Sequence, residues 1–591
     1  MIVSRSIFTQ IIHLFGHLSE RRRRHYYLLF ALTLVSAFME VVSLSAVIPF
    51  ISVISSPDGL SKYPFINDIL SSVGILEGSN SVFIISVGFM VVAIIAGLVR
   101  ILLIWVGINI VNASARDLSD KVFSLILYQP YTVHVANNSS EVINSMVKKI
   151  GSASATLSAT VTIIISTVLF TSIITTIFVV DYRVAVGSVA IFGTAYVFIA
   201  LITRYRVTYN GKKIVVEQGN MIRILQESLG GIRDIILNGT QSVYRKAYYK
   251  SNSISLRANS ENIFMNSSPR FIMEMLGMVL IATIAIFVTK SNNPLIALPM
   301  LGVLGLGAQR SLPLMQQLYG AWTSLLNSKA ALTDVIELLQ QSLPDHANLS
   351  EQKPLLFKKS ICLNKLSFRY SKATPWVLDN LTLEIPKGSR VGIIGKTGSG
   401  KSTIADLLMG LLDPTKGKIM VDSKQINLDL KQSWQRAVAH VPQSIFLTDA
   451  SIRENIAFGV TSDQVDINLV YKAAEQAKIS EFINSLPEAF DTNVGERGVK
   501  LSGGQRQRIG IARALYKQAS VLIFDEATSA LDTETEHSVM EAIESLSKEL
   551  TLIIIAHRIT TLKNCSMIIE LADSGIKQVG SYQDIINQSE K

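Results

Sequence analysis

The chain has 591 residues, 49% of them hydrophobic and 17% charged, well below the roughly 25% charged residues of soluble domains. Its formal net charge of +10 gathers beside apolar runs, at Arg21-Arg22-Arg23-Arg24 and across 204–257, which marks membrane topology and argues against nucleic acid as a partner. Long uncharged runs stop near residue 330, so a membrane domain (1–341), a polar linker holding Pro344 and Pro354 (342–360) and one soluble domain (361–591) are expected, not a string of soluble domains.

Residues 1–20 read as an amphipathic helix lying on the inner membrane surface. No cleavable signal is expected, because the first apolar run follows the arginine cluster, exceeds a signal core in length and lacks a small-residue cleavage site. A spanning helix needs about 20 mostly apolar residues, and six stretches satisfy this. They are 26–54, charged only at Glu40; 81–115, charged only at Arg100; 159–180 and 184–203, uncharged; 271–289, charged only at Glu274; and 294–328, charged only at Arg310. As helices the second and sixth are about 50 Å long and should project beyond a hydrocarbon core of about 30 Å.

Segments 116–158 and 204–268 are long and rich in Lys and Arg, whereas 181–183 and 290–293 are short. The positive-inside rule puts both long segments, the N-terminus and the soluble domain in the cytoplasm, for a multi-pass protein of the plasma (bacterial inner) membrane. The long segments are expected to be helical extensions. Each is interrupted by a short crosswise element where Tyr128-Gln129-Pro130-Tyr131 and Gly230-Gly231-Ile232-Arg233 carry helix-breaking residues, and contacts with the soluble domain are expected at these tips. Between the first two runs, 63–76 is amphipathic and fits a surface helix or an ordinary loop equally well. Cys362 and Cys565 match neither a disulfide framework nor a metal-ligand spacing.

In the soluble half, Gly395-Lys396-Thr397-Gly398-Ser399-Gly400-Lys401-Ser402 follows an apolar strand (390–394) and precedes a helical stretch beginning at Thr403. This is the G-x-x-x-x-G-K-[ST] loop in its required strand-loop-helix context. Its glycines let backbone N–H groups converge on phosphate, Lys401 reaches the β- and γ-phosphates, and the Ser402 hydroxyl suits Mg²⁺. The run 521–526 is a buried parallel strand ending in Asp525 and Glu526; the first acid can hold Mg²⁺ through water and the second can polarise an attacking water. Leu501-Ser502-Gly503-Gly504-Gln505 opens another helix and offers a second phosphate-binding N-terminus, or a simple cap by Ser502. One nucleotide does not readily occupy two cradles of one subunit, so each cradle is expected to serve a partner's ATP.

Across 361–585 this set resembles the nucleotide-binding domain of ATP-binding cassette (ABC) transporters. The resemblance implies an α-helical six-span transmembrane domain followed by an α/β P-loop ATPase domain, an export-type half-transporter acting as a homodimer, or a heterodimer, on ATP and Mg²⁺. It further implies that Tyr370 stacks on adenine and that the loop from Gly395 to Thr403 holds the phosphates. Gln443 senses the γ-phosphate and Mg²⁺, Ser502 to Gln505 grip the partner's ATP, and Ala530, Leu531 and Asp532 pass between subunits. Glu526 is then the catalytic carboxylate, His557 the switch residue, and 494–498 the loop that touches the coupling helices.

Substrate identity must come from the membrane half. Ionisable residues in spans are candidates for function, and helix rise places Arg100, Arg270 and Arg310 at similar depth near the inner leaflet. A ring of guanidinium groups suits phosphate or pyrophosphate, with snorkelling to headgroups as the alternative. Glu40 and Glu274 serve as partners, packing groups or substrate contacts. Pro269-Arg270 with Glu274, Gln309-Arg310, and Met39-Glu40 with Ile48-Pro49-Phe50 look like ABC flippases for lipid-linked oligosaccharides. The expected substrate is therefore a lipid-linked or amphipathic anionic molecule, with a general lipid, drug or peptide exporter as the alternative. A nucleotide-gated channel is disfavoured by the complete Glu526 and His557 pair, and a clamp-type ATPase by the six spans.

Overall fold

The computed structural model describes residues 6–55, 80–136, 139–180, 182–289, 294–341, 353–526, 533–556, 558–572 and 574–589. The 63–76 segment and residues Ala530, Leu531, Asp532 and His557 lie outside this set. The chain forms two compact units, one of 1–129 with 137–343, the other of 130–136 with 344–591.

The first unit is helical. Helix α1 (Ile7–Gly16) buries Ile7 and Leu14 and leaves Phe8 and Ile12 exposed, so it is two-faced as its spacing implies. Helix α2 (Glu20–Ser45) begins at Ser19, whose hydroxyl accepts from the Arg22 N–H, with Glu20 suiting the positive end of the helix. Arg22 is held against Asp117 of the next long helix at 2.7 Å. A short α3 (Val47–Ser55) follows, its Pro49 tolerated in the first turn. Then come α4 (Asn80–Leu127), α5 (Tyr131–Ala136), α6 (Ser139–Val180), α7 (Tyr182–Gly230), α8 (Ile232–Leu237), α9 (Gln241–Thr289) and α10 (Pro294–Leu339).

The 48 residues of α4 and 49 of α7 far exceed a bilayer core, so apolar spans and polar extensions are single helices. They stop where the breakers stand: Pro130 follows α4, and the Gly230-Gly231 step separates α7 from α8. Among the described residues, four helical stretches are long and apolar enough to cross a membrane: Glu20–Ser52, Val82–Leu127, Ile150–Val179 and Ala185–Gly230. The fifth and sixth expected spans fall on α9 and α10, and the segment 290–293 between them lies outside the described residues.

Helix α6 packs along α10, α7 along α9, and α2 against α4 and α6. Hydroxyls inside this unit close onto their own helices, as Thr33 Oγ1 donates to Leu29 O at 2.8 Å and Thr176 Oγ1 to Ser172 O at 2.9 Å. That removes unpaired donors where water is scarce.

The second unit has two sheets. The antiparallel one, in order β2-β1-β4-β5, comprises β1 (Ser360–Phe368), β2 (Leu378–Pro386), β4 (Lys416–Val421) and β5 (Lys424–Gln425). The other, in order β10-β9-β3-β8-β7-β6, comprises β3 (Arg390–Gly395), β6 (Val438–Val441), β7 (Val521–Asp525), β8 (Thr551–Ile555), β9 (Met567–Ala572) and β10 (Gly575–Gly580). It is parallel except at β10. Helices cover both its faces, which is why β7 and β8 are continuous apolar runs with Val521 to Phe524 and Leu552 to Ile555 buried.

The helices are α11 (Lys401–Leu408), α12 (Leu428–Ala437), α13 (Ile452–Ile456), α14 (Ile467–Gln476), α15 (Ser480–Asn484), α16 (Gly503–Tyr516), α17 (Thr533–Glu544) and α18 (Tyr582–Ser589). Trp434 of α12 is 1% exposed and donates its indole N–H to Leu408 O at 2.7 Å, locking α12 onto α11.

Candidate nucleotide site

The ends of β3, β7 and β8 lie side by side, with Ile393 paired to Ile555 and Asp525 to Ile555. The loop after β3 runs into α11, so its backbone donors and the helix N-terminus point to one place. Gly400 caps α11 at φ +95°, and a Cβ there would lie 2.7 Å from Leu378 Cδ2. Gly395, at φ +156°, would bring a Cβ to 2.5 Å from Ser399 Oγ. These are positions only glycine fills, and they leave a concave backbone cradle.

Two side chains in the cradle are poised for a phosphate. Lys401 is 7% exposed, and its Nζ donates to Gly395 O at 2.9 Å and Lys396 O at 3.2 Å across the loop. Ser399 Oγ is buried with no hydrogen-bond partner among the described residues. A polyanion supplies acceptors for both, so the residues fit a nucleotide triphosphate. Ser402 is exposed at the start of α11, beside the strand that ends in Asp525. A hydroxyl and one carboxylate are a donor set suited to Mg²⁺, which keeps waters and substrate phosphates as its other ligands.

Tyr370 is 55% exposed, edge-on to Phe368, and its hydroxyl lies 3.2 Å from Thr403 Oγ1. Its ring therefore stands beside the loop with area free for a base. Gln443 is exposed just beyond β6. Glu526 follows β7 at φ +50°, in the left-handed region, with its N–H donated to Ile555 O at 3.0 Å. A non-glycine residue held there signals strain fixed by the surrounding strands.

Asp406, one turn past Ser402 on α11, had no part in the motif. Burial, and then the charge of Asp525, push its carboxyl up to about 6 from an ordinary 3.8. Tyr131 of α5, in the same unit, has its phenol pushed up by burial and then by Asp406 and Tyr370.

The second cradle is a capping box. Ser502 Oγ accepts from the Gln505 N–H at 3.3 Å, and Gln505 Oε1 accepts from the Ser502 N–H at 2.8 Å. Ser502 and Gly503 are exposed and Gly504 is buried, so the helix N-terminus is both well formed and open to solvent. Farther along α16, Arg513 donates to Phe446 O at 2.9 Å, Asn455 O at 2.9 Å and Asn455 Oδ1 at 3.2 Å. Burial pulls this guanidinium down to about 10. Sequence reading missed the residue because its partners, two main-chain carbonyls and the Asn455 amide oxygen, are brought to it only by the fold.

In the membrane unit, two of the three arginines expected at similar depth are paired with the two glutamates of the spans. Arg310 binds Glu40 at 3.0 Å, with Glu40 7% exposed, and also donates to Ser43 Oγ at 3.2 Å. Arg270 binds Glu274 one turn along α9 at 2.7 Å. Both guanidinium groups thus have a counter-charge; for Glu40, buried beside an apolar core, the pairing offsets the cost of burying a carboxylate, whereas Arg270 and Glu274 are both exposed. Arg100, half-buried on α4, forms no ion pair among the described residues.

Residues 378–529 match the ABC transporter family and 26–293 match the ABC transporter transmembrane region. The heterocyst differentiation ATP-binding protein HepA of Nostoc sp. is 30% identical over 486 residues, 81% of this chain and 79% of that one. ATP-dependent lipid A-core flippases are also similar. That of Idiomarina loihiensis is 32% identical over 64% of each chain, and that of Alkalilimnicola ehrlichii 38% identical over 47% of each. A solved bacterial Atm1-family ABC exporter with ATP bound aligns with TM-score 0.75 and 24% identity, covering 94% of this chain and 96% of that one, and so shares the fold. The chain belongs to the ABC transporter family, as an exporter with its membrane domain fused ahead of an ATPase domain that hydrolyses ATP to drive transport.

Proposed function

We propose that two copies of this chain form an inner-membrane flippase for a lipid-linked or amphipathic anionic substrate, a lipid-linked oligosaccharide or glycolipid being the best fit. Each copy is read as six spans, with its N-terminus and ATPase domain cytoplasmic; the basic segments 116–158 and 204–268 support this orientation. The observation that carries the dimer is the pair of phosphate cradles in one ATPase domain. One is closed over by Lys401; the other, at Ser502, is capped yet exposed. A triphosphate held by the first and met by a neighbour's second uses both.

In this reading Lys401 and the loop N–H groups hold the phosphates, Tyr370 stacks on the base, and Ser402, Asp525 and Gln443 face the metal side. Mg²⁺, when bound, neutralises phosphate charge. Glu526 orients and deprotonates the attacking water, with His557 as the switch residue. Closure of the two ATPase domains around nucleotide rearranges the helix ends that lead to the spans, and hydrolysis releases them. Arg100 meets the anionic end of the substrate; the names of the flippase relatives support a lipid cargo.

In proteoliposomes, wild-type protein is expected to translocate a fluorescent polyprenyl-pyrophosphate oligosaccharide only with ATP. Glu526→Gln is expected to keep nucleotide binding and lose turnover by at least about a hundredfold. Full turnover in that variant contradicts the assigned base.

A second reading, a general lipid or drug exporter, is favoured by a groove of about 620 Å³ between α2 and α6. It is lined by Leu34, Val41, Ile48, Val168 and Val179 among others and suits an acyl chain or apolar drug. Equal transport of an apolar dye and the saccharide lipid supports this reading instead.

A further inference from the structure

A separate cavity of about 520 Å³ lies between α6, α9 and α10, bounded by Ser158, Thr162, Asn266, Gln316, Gln317 and Ser324 among small apolar residues. Its lining holds amides and hydroxyls and no charged side chain. What it receives is decided by how those amides are already bonded. Gln317 Oε1 accepts from Ser166 Oγ at 3.1 Å, and Asn266 Oδ1 lies 3.3 Å from Thr323 Oγ1, whose single proton it shares with Gly320 O at 2.9 Å. The Gln317 carbonyl is thus engaged and that of Asn266 shares a donor, while the amide NH₂ groups of Asn266 and Gln317 make no hydrogen bond among the described residues, and Gln316 makes none with either end.

The neighbouring amides behave differently. Asn262, one turn before Asn266, accepts from Asn210 at 3.2 Å and donates to Asn327 at 3.1 Å, and Asn210 also donates to Glu261 at 3.1 Å. That chain ties α7, α9 and α10 together, and both ends of the Asn262 amide are bonded within the protein. The cavity amides instead keep donors in hand. Gly320 makes room for one of them, since a Cβ there would lie 3.1 Å from Asn266 Oδ1.

We propose that this cavity is a headgroup subsite for an uncharged, hydroxyl-rich group, that is, a sugar; the proposal rests on the reading of the chain as a lipid exporter. Free amide donors require oxygen acceptors, and the hydroxyls of Ser158, Thr162 and Ser324 return both donors and acceptors, as a polyol does. A phosphate would enter without a cation among the lining residues, at the desolvation cost of a charge placed among neutral groups. The depth also fits. Pro313 stands about 28 Å along α10 from Pro294, near the far edge of a hydrocarbon core of about 30 Å and toward the end that leads to Leu339. A headgroup belongs at that level.

The test is binding of two lipids with identical acyl chains, digalactosyldiacylglycerol and phosphatidylglycerol, to the full-length protein in nanodiscs. The expected result is at least about tenfold tighter retention of the sugar lipid. Asn266→Asp with Gln317→Glu keeps size but exchanges donors for acceptors, and is expected to abolish the preference; Gln317→Leu is expected to halve the logarithm of the ratio. Equal or tighter binding of phosphatidylglycerol by wild-type protein overturns the proposal, as does a sugar preference that survives the double variant. Binding needs neither ATP nor movement. Loss of sugar preference with translocation intact therefore removes the subsite alone, whereas absent translocation with sugar binding intact removes the proposed flippase alone.

Discussion

Asp406 shares one face of α11 with Ser402 and sits in the field of Asp525. Because burial and that neighbouring charge raise its carboxyl to about 6, the folded domain holds the proton more tightly than the unfolded chain does. Stability therefore falls as pH rises between 3.8 and about 6, and the penalty persists above that window. Asp406→Asn, free of nucleotide and metal, is expected to raise the unfolding temperature well above pH 6 and to give no gain below pH 3.8. A gain of the same size at every pH excludes the carboxylate as its source. The loop at Gly395 to Ser402 was legible in sequence because its glycines and lysine are consecutive and their chemistry is local. Asp406 was not, since its environment is made by β7, which is distant in sequence. The same holds for Gln316 and Gln317: two adjacent amides in an apolar run were visible, but which of their atoms stay unbonded depends on Ser166 of another helix.

Among elements, the bond between α2 and α10 through Glu40 and Arg310 is the firmest expectation for mutagenesis. Glu40→Gln leaves a cation without its anion and is expected to destabilise the membrane unit by about 2 kcal/mol, below the roughly 3–5 kcal/mol of a fully buried pair because Arg310 is 29% exposed. Exchanging the two charges, Glu40→Arg with Arg310→Glu, should recover most of the loss in thermal unfolding. No recovery would mean that the Arg310 contact to Ser43 dominates. Helix extents could be read from the chain because apolar runs, Pro130 and the Gly230-Gly231 step act within a few residues of themselves. The pairing of Glu40 with Arg310 could not, since the two lie on helices that meet only through the fold. Glu40 and Glu274 were open in the sequence as partners, packing groups or substrate contacts for the same reason: depth along a helix can be counted, but orientation around it is set by packing.

For the whole molecule, the shared-nucleotide arrangement makes a prediction that a single chain working alone does not. Lys401→Ala and Ser502→Arg each disable both composite sites of a homodimer. In mixed dimers of one copy of each, both lesions fall on the same site and the other is intact, so ATPase activity should return to about half of wild type or less. No recovery on mixing would locate each complete site within one chain. The bonds of Arg513 add a mechanical corollary. It rivets the end of α13 and the carbonyl of Phe446, three residues past Gln443, onto the helix whose N-terminus displays Ser502. With Asn455 fully enclosed and stapled to Thr448 as well, this strip is a rigid lever, not a hinge. In the proposed dimer, a tug on Gln443 by one triphosphate would be delivered at the far end of the same lever, where the neighbour's triphosphate would rest.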